Sequence, residues 1–442
     1  MDRIPVGMAD SNVLDRMRQD WNERAREDLH YYVAFGRREQ DDAEFLATAA
    51  DVVRAMRAEL KRLRPPGQPR PNGLKALEIG CGPGRLMRPL SGEFAEIHGI
   101  DISDEMIRLA AERLRDIPHA HVHHTEKSDL SMFPDESFDF VYSYAVFQHI
   151  PSREVVLGYL AEARRVLKHG GILKCQINGL PETSARYTTW EGVRIPADDV
   201  VAFALRHDFQ LLALEGASTQ YMWTTWRKQP PGWRAALRPA AGLSTRIRAI
   251  SNALTGDQPV PASGPRAFAA IWLDNPPSDC DLIGLEVRIE GRPAVLTCLS
   301  APEWDGMVQL NAAVPAGCRT GLVPVEVLWL GQPLTAAAWM RVIPPGPAVP
   351  RICAVSDGVN LLSGARIVSR TIKVVMEEVS NPEQFQAFLD GASIDAGTFC
   401  TDPVQQRYEF DIMLPDTVQP GPHEIRVSLG RRSFAPVAVE VV

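Results

Sequence analysis

The stretch ALEIGCGPGR, residues 76–85, sets three glycines at alternate positions directly after a short apolar run. Glycine lets backbone approach a ligand closely and tolerates positive φ, so a loop of this composition cradles something. A dinucleotide loop has the spacing GxGxxG, whose last glycine lets helix and strand pack around a pyrophosphate. The spacing here is GxGxG, and no Lys-Ser or Lys-Thr closes the loop as a Walker phosphate site requires. Pro83 also removes an N–H that a phosphate would use. Glu78, on the strand just before the loop, repels a phosphate and attracts a cationic amino group. These features leave a smaller adenosine-containing cofactor that is not gripped by phosphate.

The flanking residues extend this reading. Asp101 ends the next strand, "HGIDIS", about twenty residues past the first glycine, the offset at which an acid meets ribose hydroxyls. A helix cap is the competing role, but Ser103 can provide that cap itself. Asp129-Leu130 follow the third strand, where a carboxylate can accept from an exocyclic amine and a backbone N–H can meet a ring nitrogen.

At 442 residues, the chain exceeds one ordinary core. Its 45% hydrophobic and 23% charged content are those of a soluble globular protein. A net charge of −8 argues against a general nucleic-acid binder. No apolar run is long enough for a membrane span, and the first residues lack the apolar core of a secretory signal. Seven scattered cysteines without a CxxC pair suit a reduced, cytoplasmic chain.

Residues 12–63 read as helix, with Phe45, Ala49, Val52, Val53, Met56, Leu60 and Leu63 on one apolar stripe. Asp41 or Asp42 caps it. From Leu74 to Lys228, short apolar runs alternate with helical patterns, as in βαβ units around a parallel sheet. Residues 227–256 hold six Arg or Lys and no acid, and read as a linker with a short basic helix. Beyond Arg266 the pattern is strand-rich and repeats. Val314, Pro315, Gly321, Val325 and Val327 match Leu414, Pro415, Gly421, Ile425 and Val427 at a period near one hundred, the size of an immunoglobulin-like sandwich.

Residues 74–174 resemble a class I S-adenosylmethionine-dependent methyltransferase. The blocks "LEIGCGPGR", "GIDIS", "FPDESFDFVYS" and "EARRVLKHGGIL" arrive in that family's order and spacing. The resemblance implies a Rossmann-like α/β domain with seven strands, the last antiparallel, for which "LEGASTQYMWTTWRK" is suited. It further implies that Glu78 and the loop Gly80, Cys81, Gly82 and Gly84 surround the methionine part. Asp101 would hold the ribose, Ile102 and Met106 would flank the adenine, and Asp129 and Leu130 would read its edge. Ser143 and Tyr144 would lie near the sulfonium. The tail modules resemble the immunoglobulin-like TIG type. The expected domains are a methyltransferase domain with an N-terminal helical lid (1–228), a basic linker (229–264) and two sandwiches (265–346 and 347–442). A chain ending near Lys228 is expected to fold by itself.

The acceptor is a small molecule or saccharide in this reading, since "YSYAVFQHI" replaces the Pro-Pro motif of nucleobase methyltransferases. His149 is the candidate base, with Gln148 as its partner; ordering the "HIPS" turn is the alternative role. Trp21, Tyr31, Tyr32 and Arg37 are expected on a lid over the cofactor, with core packing as the alternative. "PHAHVHH" puts His119, His121 and His123 on one face of a strand expected inside the sheet, and no metal site is expected there. The competing functions are a cofactor-binding scaffold without turnover, or a glycan- or protein-binding array in the tail. The sandwiches are expected to present substrate or to join subunits into a homo-oligomer.

Overall fold

The computed structural model describes residues 11–34, 41–64, 67–183, 186–235, 245–346, 349–358, 364–402 and 406–442. The chain divides into two compact units: residues 1–25 with 49–344, and residues 26–48 with 345–442.

Three helices come first: α1 (Ser11–Ala34), α2 (Asp42–Ala47) and α3 (Ala50–Glu59). The α1 helix breaks at Asp28, whose φ of −161° is extended. Asp28 Oδ1 accepts the Tyr31 N–H at 3.0 Å and so caps a second helical piece. Asp41 caps α2 in a reciprocal pair with Glu44. Phe45, Ala49, Val53, Met56 and Leu60 of the expected stripe are all buried.

In the first unit, β1 (Lys75–Ile79), α4 (Met87–Leu90), β2 (Glu96–Asp101), α5 (Asp104–Arg113), β3 (Ala120–His124), β4 (Phe138–Ser143), α6 (Arg153–Val166), β5 (Leu167–Ile177), α7 (Ala197–Arg206), β6 (Phe209–Glu215) and β7 (Met222–Lys228) follow. Their strands lie in the order β3-β2-β1-β4-β5-β7-β6. β1 pairs in parallel with β2 and β4, while β7 runs antiparallel to β5 and β6. One face packs on α3 and α4, the other on α6 and α7.

The sheet does not stop at β6. The strands β8 (Arg246–Asn252), β9 (Val260–Pro261), β10 (Phe268–Asp274), β11 (Leu285–Ile289), β12 (Arg292–Ala294), β13 (Leu296–Leu299), β14 (Val308–Ala313), β15 (Gly321–Trp329), β16 (Gln332–Pro333) and β17 (Ala338–Ile343) build a two-sheet module. Its outer strand β13 pairs with β6, Cys298 opposite Ala213, so that eleven strands form one sheet. Leu282 N–H donates to Leu211 O at 2.9 Å and Gln210 Nε2 to Cys280 O at 2.7 Å across the seam. The two-sheet module is therefore continuous with the first sheet: a strand edge left open at β6 is a pairing template, and this module fills it. The expected basic helix is likewise replaced in part by β8, whose Arg246 and Arg248 face Asp274 of β10 at 3.5 and 3.4 Å; residues 236–244 lie outside the described residues.

In the second unit, β18 (Arg351–Asp357), β19 (Arg366–Ile367), β20 (Thr371–Glu377), β21 (Phe385–Leu389), β22 (Ala392–Ile394), β23 (Ala396–Asp402), β24 (Arg407–Met413), β25 (Gly421–Leu429), β26 (Arg432–Ser433) and β27 (Val437–Val441) repeat the plan strand for strand. The order β18-β20-β24-β23 mirrors β8-β10-β14-β13, and β19-β27-β25-β21-β22 mirrors β9-β17-β15-β11-β12. One core holds both of its sheets, with Phe410 and Ile412 meeting Ile425 and Val427. Of the matched residues, Gly321, Val325 and Val327 lie on β15 and Gly421, Ile425 and Val427 on β25, while Val314-Pro315 and Leu414-Pro415 directly follow β14 and β24.

β3 is an edge strand, not an inner one, because the chain returns from it to the far side of β1. Its His121 and His123 meet His98 of β2, with His98 Nδ1 3.1 Å from His123 Nε2. Among the described residues no His, Cys, Asp and Glu group is arranged to hold a metal ion.

Candidate functional site

β1, β2 and β4 end side by side, and the loops that leave them face one crevice, where parallel sheets hold ligands. Gly80, Gly82 and Gly84 have φ of 72°, 50° and 77°. A Cβ on Gly80 would lie 2.4 Å from Val146 Cγ2, so the loop after β4 packs onto bare backbone. The Gly80 and Cys81 N–H groups both reach Ile100 O at 2.9 Å. Cys81 is buried and its thiol is pushed well up by burial, which leaves it neutral and inert.

Asp101 joins this loop to the next turn. Its Oδ2 accepts the Gly82 N–H and its Oδ1 the Ser103 N–H, each at 2.9 Å. A carboxylate offers about four lone-pair positions, so two remain for hydroxyl donors. Ser103 caps α5 by accepting the Met106 N–H at 3.1 Å, which frees Asp101 from that task. Ile102 and Met106 are buried beside it.

Glu78 lies buried on β1 and accepts from Tyr142 Oη at 3.0 Å. Burial pushes its carboxyl up to about 8, against the smaller effects of the Tyr142 hydrogen bond and of Arg85. Arg85 lies over the Tyr144 ring at 5.7 Å, and Tyr144 stacks on Trp223 at 5.5 Å. Ser143 Oγ donates to Ile79 O at 2.9 Å, pinning the end of β4 to the end of β1. Ala145 follows with a φ of 56°, a left-handed conformation that non-glycine residues rarely adopt.

Where the sequence places an adenine contact, Asp129 Oδ1 accepts from Ser131 N and Oγ at 3.1 and 2.7 Å. The Leu130 N–H, expected to meet a ring nitrogen, donates to Glu162 Oε2 at 3.0 Å. Sequence could not disclose this competitor, which comes from α6.

His149 is buried, and its Nδ1 lies 2.8 Å from Trp190 O. A carbonyl only accepts, so Nδ1 carries the proton and Nε2, 3.3 Å from Gln148 Nε2, is the acceptor. Burial drives its pKa down to about 4, with the Trp190 carbonyl opposing and the charge of Arg24 assisting. The expected base is thus a neutral ring with both nitrogens engaged, and the turn-ordering role fits the geometry. Trp21 meets the His149 ring edge-on at 5.4 Å.

The lid divides. Trp21 belongs to the same compact unit as the glycine loop. Tyr31 and Tyr32, past the Asp28 break, group with residues 345–442, where their rings meet at 5.0 Å and Tyr32 Oη donates to Glu27 at 2.9 Å. Tyr31 and Tyr32 thus fall in a different compact unit from the glycine loop. Arg37 lies outside the described residues.

Two residues escaped the sequence reading. Asn22 Oδ1 accepts from Ser103 Oγ at 2.6 Å and from Glu105 N at 3.2 Å, tying α1 to the start of α5. Arg24 donates to Thr189 O at 3.0 Å and lies over the Trp21 and Trp190 rings at 4.8 and 5.3 Å. These contacts span 81 to 165 positions of chain, and no local pattern announces them.

Residues 77–175 match the family described as Methyltransferase domain. Phosphoethanolamine N-methyltransferase 2 of Caenorhabditis elegans is 34% identical over 126 residues, covering 28% of this chain and 28% of that protein. Demethylmenaquinone methyltransferase of Staphylococcus aureus (strain MRSA252) is 34% identical over 106 residues, covering 23% of this chain and 42% of that protein. The chain therefore spans less than half the length of either relative. Among solved structures, magnesium protoporphyrin IX methyltransferase from Synechocystis PCC 6803 aligns with a TM-score of 0.36 at 15% identity, over 49% of this chain and 97% of that one.

Proposed function

We propose that this chain binds S-adenosylmethionine across the ends of β1, β2 and β4 and transfers its methyl group to a small-molecule or saccharide nucleophile. The matched methyltransferase domain takes S-adenosylmethionine as its cofactor, which supplies a methyl group on a positively charged sulfur when bound. The observation that carries the reading is the pair of acids, Glu78 and Asp101, beside a loop whose three glycines all take positive φ.

The residues present fit that cofactor. Glu78 is a buried acid whose side-chain hydrogen bond comes from the neutral Tyr142 hydroxyl, suited to an ammonium group. Asp101 keeps lone pairs for a ribose diol, Ile102 and Met106 supply an apolar slot, and Asp129 can accept from the exocyclic amine. Ser143 and Tyr144 then stand at the methyl end.

Transfer from a sulfonium is an in-line displacement, so holding the acceptor in place and excluding water provide most of the acceleration. Trp21, Arg24, Gln148 and Trp190 form the acceptor side. Gln148 is buried, and its Oε1 has no hydrogen-bond partner among the described residues, so it can orient an acceptor O–H or N–H. His149 acts through Trp190 and Gln148 as a positioning residue.

The relatives act on phosphoethanolamine and demethylmenaquinone by their names, which supports a small-molecule class without choosing the acceptor atom. The two-sheet modules, read as immunoglobulin-like TIG domains, would present substrate or join subunits. Free cysteines throughout the described residues suit a cytoplasmic setting. The test is calorimetric titration with S-adenosylhomocysteine, followed by a methyl-transfer screen of thiols, phenols, amines and sugars. Absence of cofactor binding, or tight binding of NAD instead, overturns the reading.

A further inference from the structure

A cavity of about 620 Å³ lies at the opposite end of the strands from the glycine loop. Leu74 precedes β1, Asp139 opens β4, Lys168 opens β5 and Arg227 closes the antiparallel β7, so all line the N-terminal ends of the parallel strands. The first two-sheet module supplies the facing wall with Pro276, Cys280, Leu299 and Pro302. Both walls belong to one compact unit.

Five basic side chains line this cavity: Arg62, Arg64, Lys168, His169 and Arg227. Asp139 is its one carboxylate, and it is already held by Lys168 Nζ at 2.8 Å and the Lys75 N–H at 2.9 Å. Arg62 is held by Glu59 at 2.5 Å and Leu299 O at 2.7 Å. The Arg64 guanidinium donates to Pro302 O at 3.2 Å and lies over the Trp304 ring at 5.2 Å, and it meets no carboxylate among the described residues within salt-bridge distance. Arg227 reaches Arg62 O at 3.3 Å, and its buried Nε has no hydrogen-bond partner among the described residues.

The charge behind the wall is also unbalanced. Arg62, Lys174 and Arg227 are set against Glu59 and Glu215. Glu59 is shared between Arg62 and Lys174, and burial pushes Glu215 up towards its neutral form. Arg227 is left as a partly desolvated cation beside another guanidinium, and its own pKa is pushed down to about 10 by burial and by Arg62. Such a group gains most from an anion arriving at the cavity side. The lining also holds the apolar Leu74, Leu212 and Val308, beside the uncharged polar Asn72, Gln210, Ser278 and Ser300.

We propose that this cavity binds an organic anion, its carboxylate or phosphate head on Arg227 and Arg64 and its apolar body along Leu74, Leu212 and Val308. The site lies outside the proposed methyl-transfer crevice and does not depend on it.

Calorimetric titration of the full chain with octyl phosphate, octanoate and the neutral octyl glucoside, each below micelle formation, tests it. Saturable binding of at least one anion is expected, and the tighter of the two identifies the head group. Octyl glucoside should bind at least about tenfold more weakly, and Arg227→Gln and Arg64→Gln should each weaken the anion by about tenfold. Affinity for S-adenosylhomocysteine should stay unchanged in both variants. The proposal is overturned if neither anion saturates, if octyl glucoside binds equally well, or if the variants bind the anion as the parent does. Should Arg227→Gln fail to fold, Arg64→Gln decides the comparison.

Discussion

Asp101 Oδ2 accepts the Gly82 N–H at 2.9 Å, so the residue that ends β2 fixes the loop that leaves β1. One carboxylate therefore shapes the glycine loop from below and offers its free lone pairs to a ligand from above. Asp101→Ala should weaken S-adenosylhomocysteine binding by about 1.5–3 kcal/mol through lost charge-assisted hydrogen bonds. Calorimetry showing an unchanged affinity would remove Asp101 from the site.

Glu78 predicts a proton linkage. With its carboxyl pushed up to about 8, the group is largely protonated near neutral pH, whereas an ammonium partner favours the carboxylate. Cofactor binding near pH 6.5 should then release close to one proton, and affinity should climb as the pH approaches 8. For folding the sign is opposite: the raised pKa favours the folded chain at low pH, and that contribution is withdrawn as pH rises from 4.5 to about 8. Titration in buffers of different ionisation enthalpy reads the proton directly. Glu78→Gln should abolish the release; if the parent shows none, Glu78 does not meet the amino group.

His149 should behave as a positioning residue. A general base would cost about 10²–10⁴-fold in rate when removed, and would take an ascending limb of the pH–rate profile with it. A ring with pKa about 4, fixed by Trp190 O and Gln148, titrates too low for that task at neutral pH. His149→Ala should instead raise KM for the acceptor and lower kcat by less than about tenfold, leaving the profile's shape above pH 5 unchanged. Loss of an ascending limb in the variant would restore the base.

A chain ending at Lys228 should aggregate, contrary to the modular expectation. It would bare the β6 edge together with Leu211 and Leu212, and would remove the acceptor of the Gln210 amide. Size-exclusion chromatography with light scattering checks this, and a monomeric, cofactor-binding fragment would show that the seam is dispensable.

The sequence disclosed what local chemistry encodes. Alternating apolar runs gave the strands from Lys75 to Lys228, the glycine spacing gave the loop, and Ser103 was legible as a cap because capping acts within four residues. The repeat in the tail was legible because equal lengths and turn residues recur. What escaped depended on partners far along the chain. Glu162 takes the Leu130 N–H from 32 positions away, Trp190 O engages His149 from 41, and Arg24 finds Thr189 from 165. The split of α1 also escaped, since one Asp inside a helical pattern reads equally well as an exposed residue or as a break at Asp28.

The two tail modules constitute an internal control that the molecule performs on itself. β11 begins at Leu285 and β21 at Phe385, β15 at Gly321 and β25 at Gly421, so most positions have a twin a hundred residues on. The twin of β13, which is spliced onto β6, is β23, which pairs with β24 alone among the described residues. Substituting the residues of one outer strand by their twins would separate what makes a strand foldable within its own module from what makes it a graft. By register Cys298 pairs with Asn311, and the twin of Asn311, Asp411, pairs with Gly397, so the exchange sets a thiol against bare backbone at the splice.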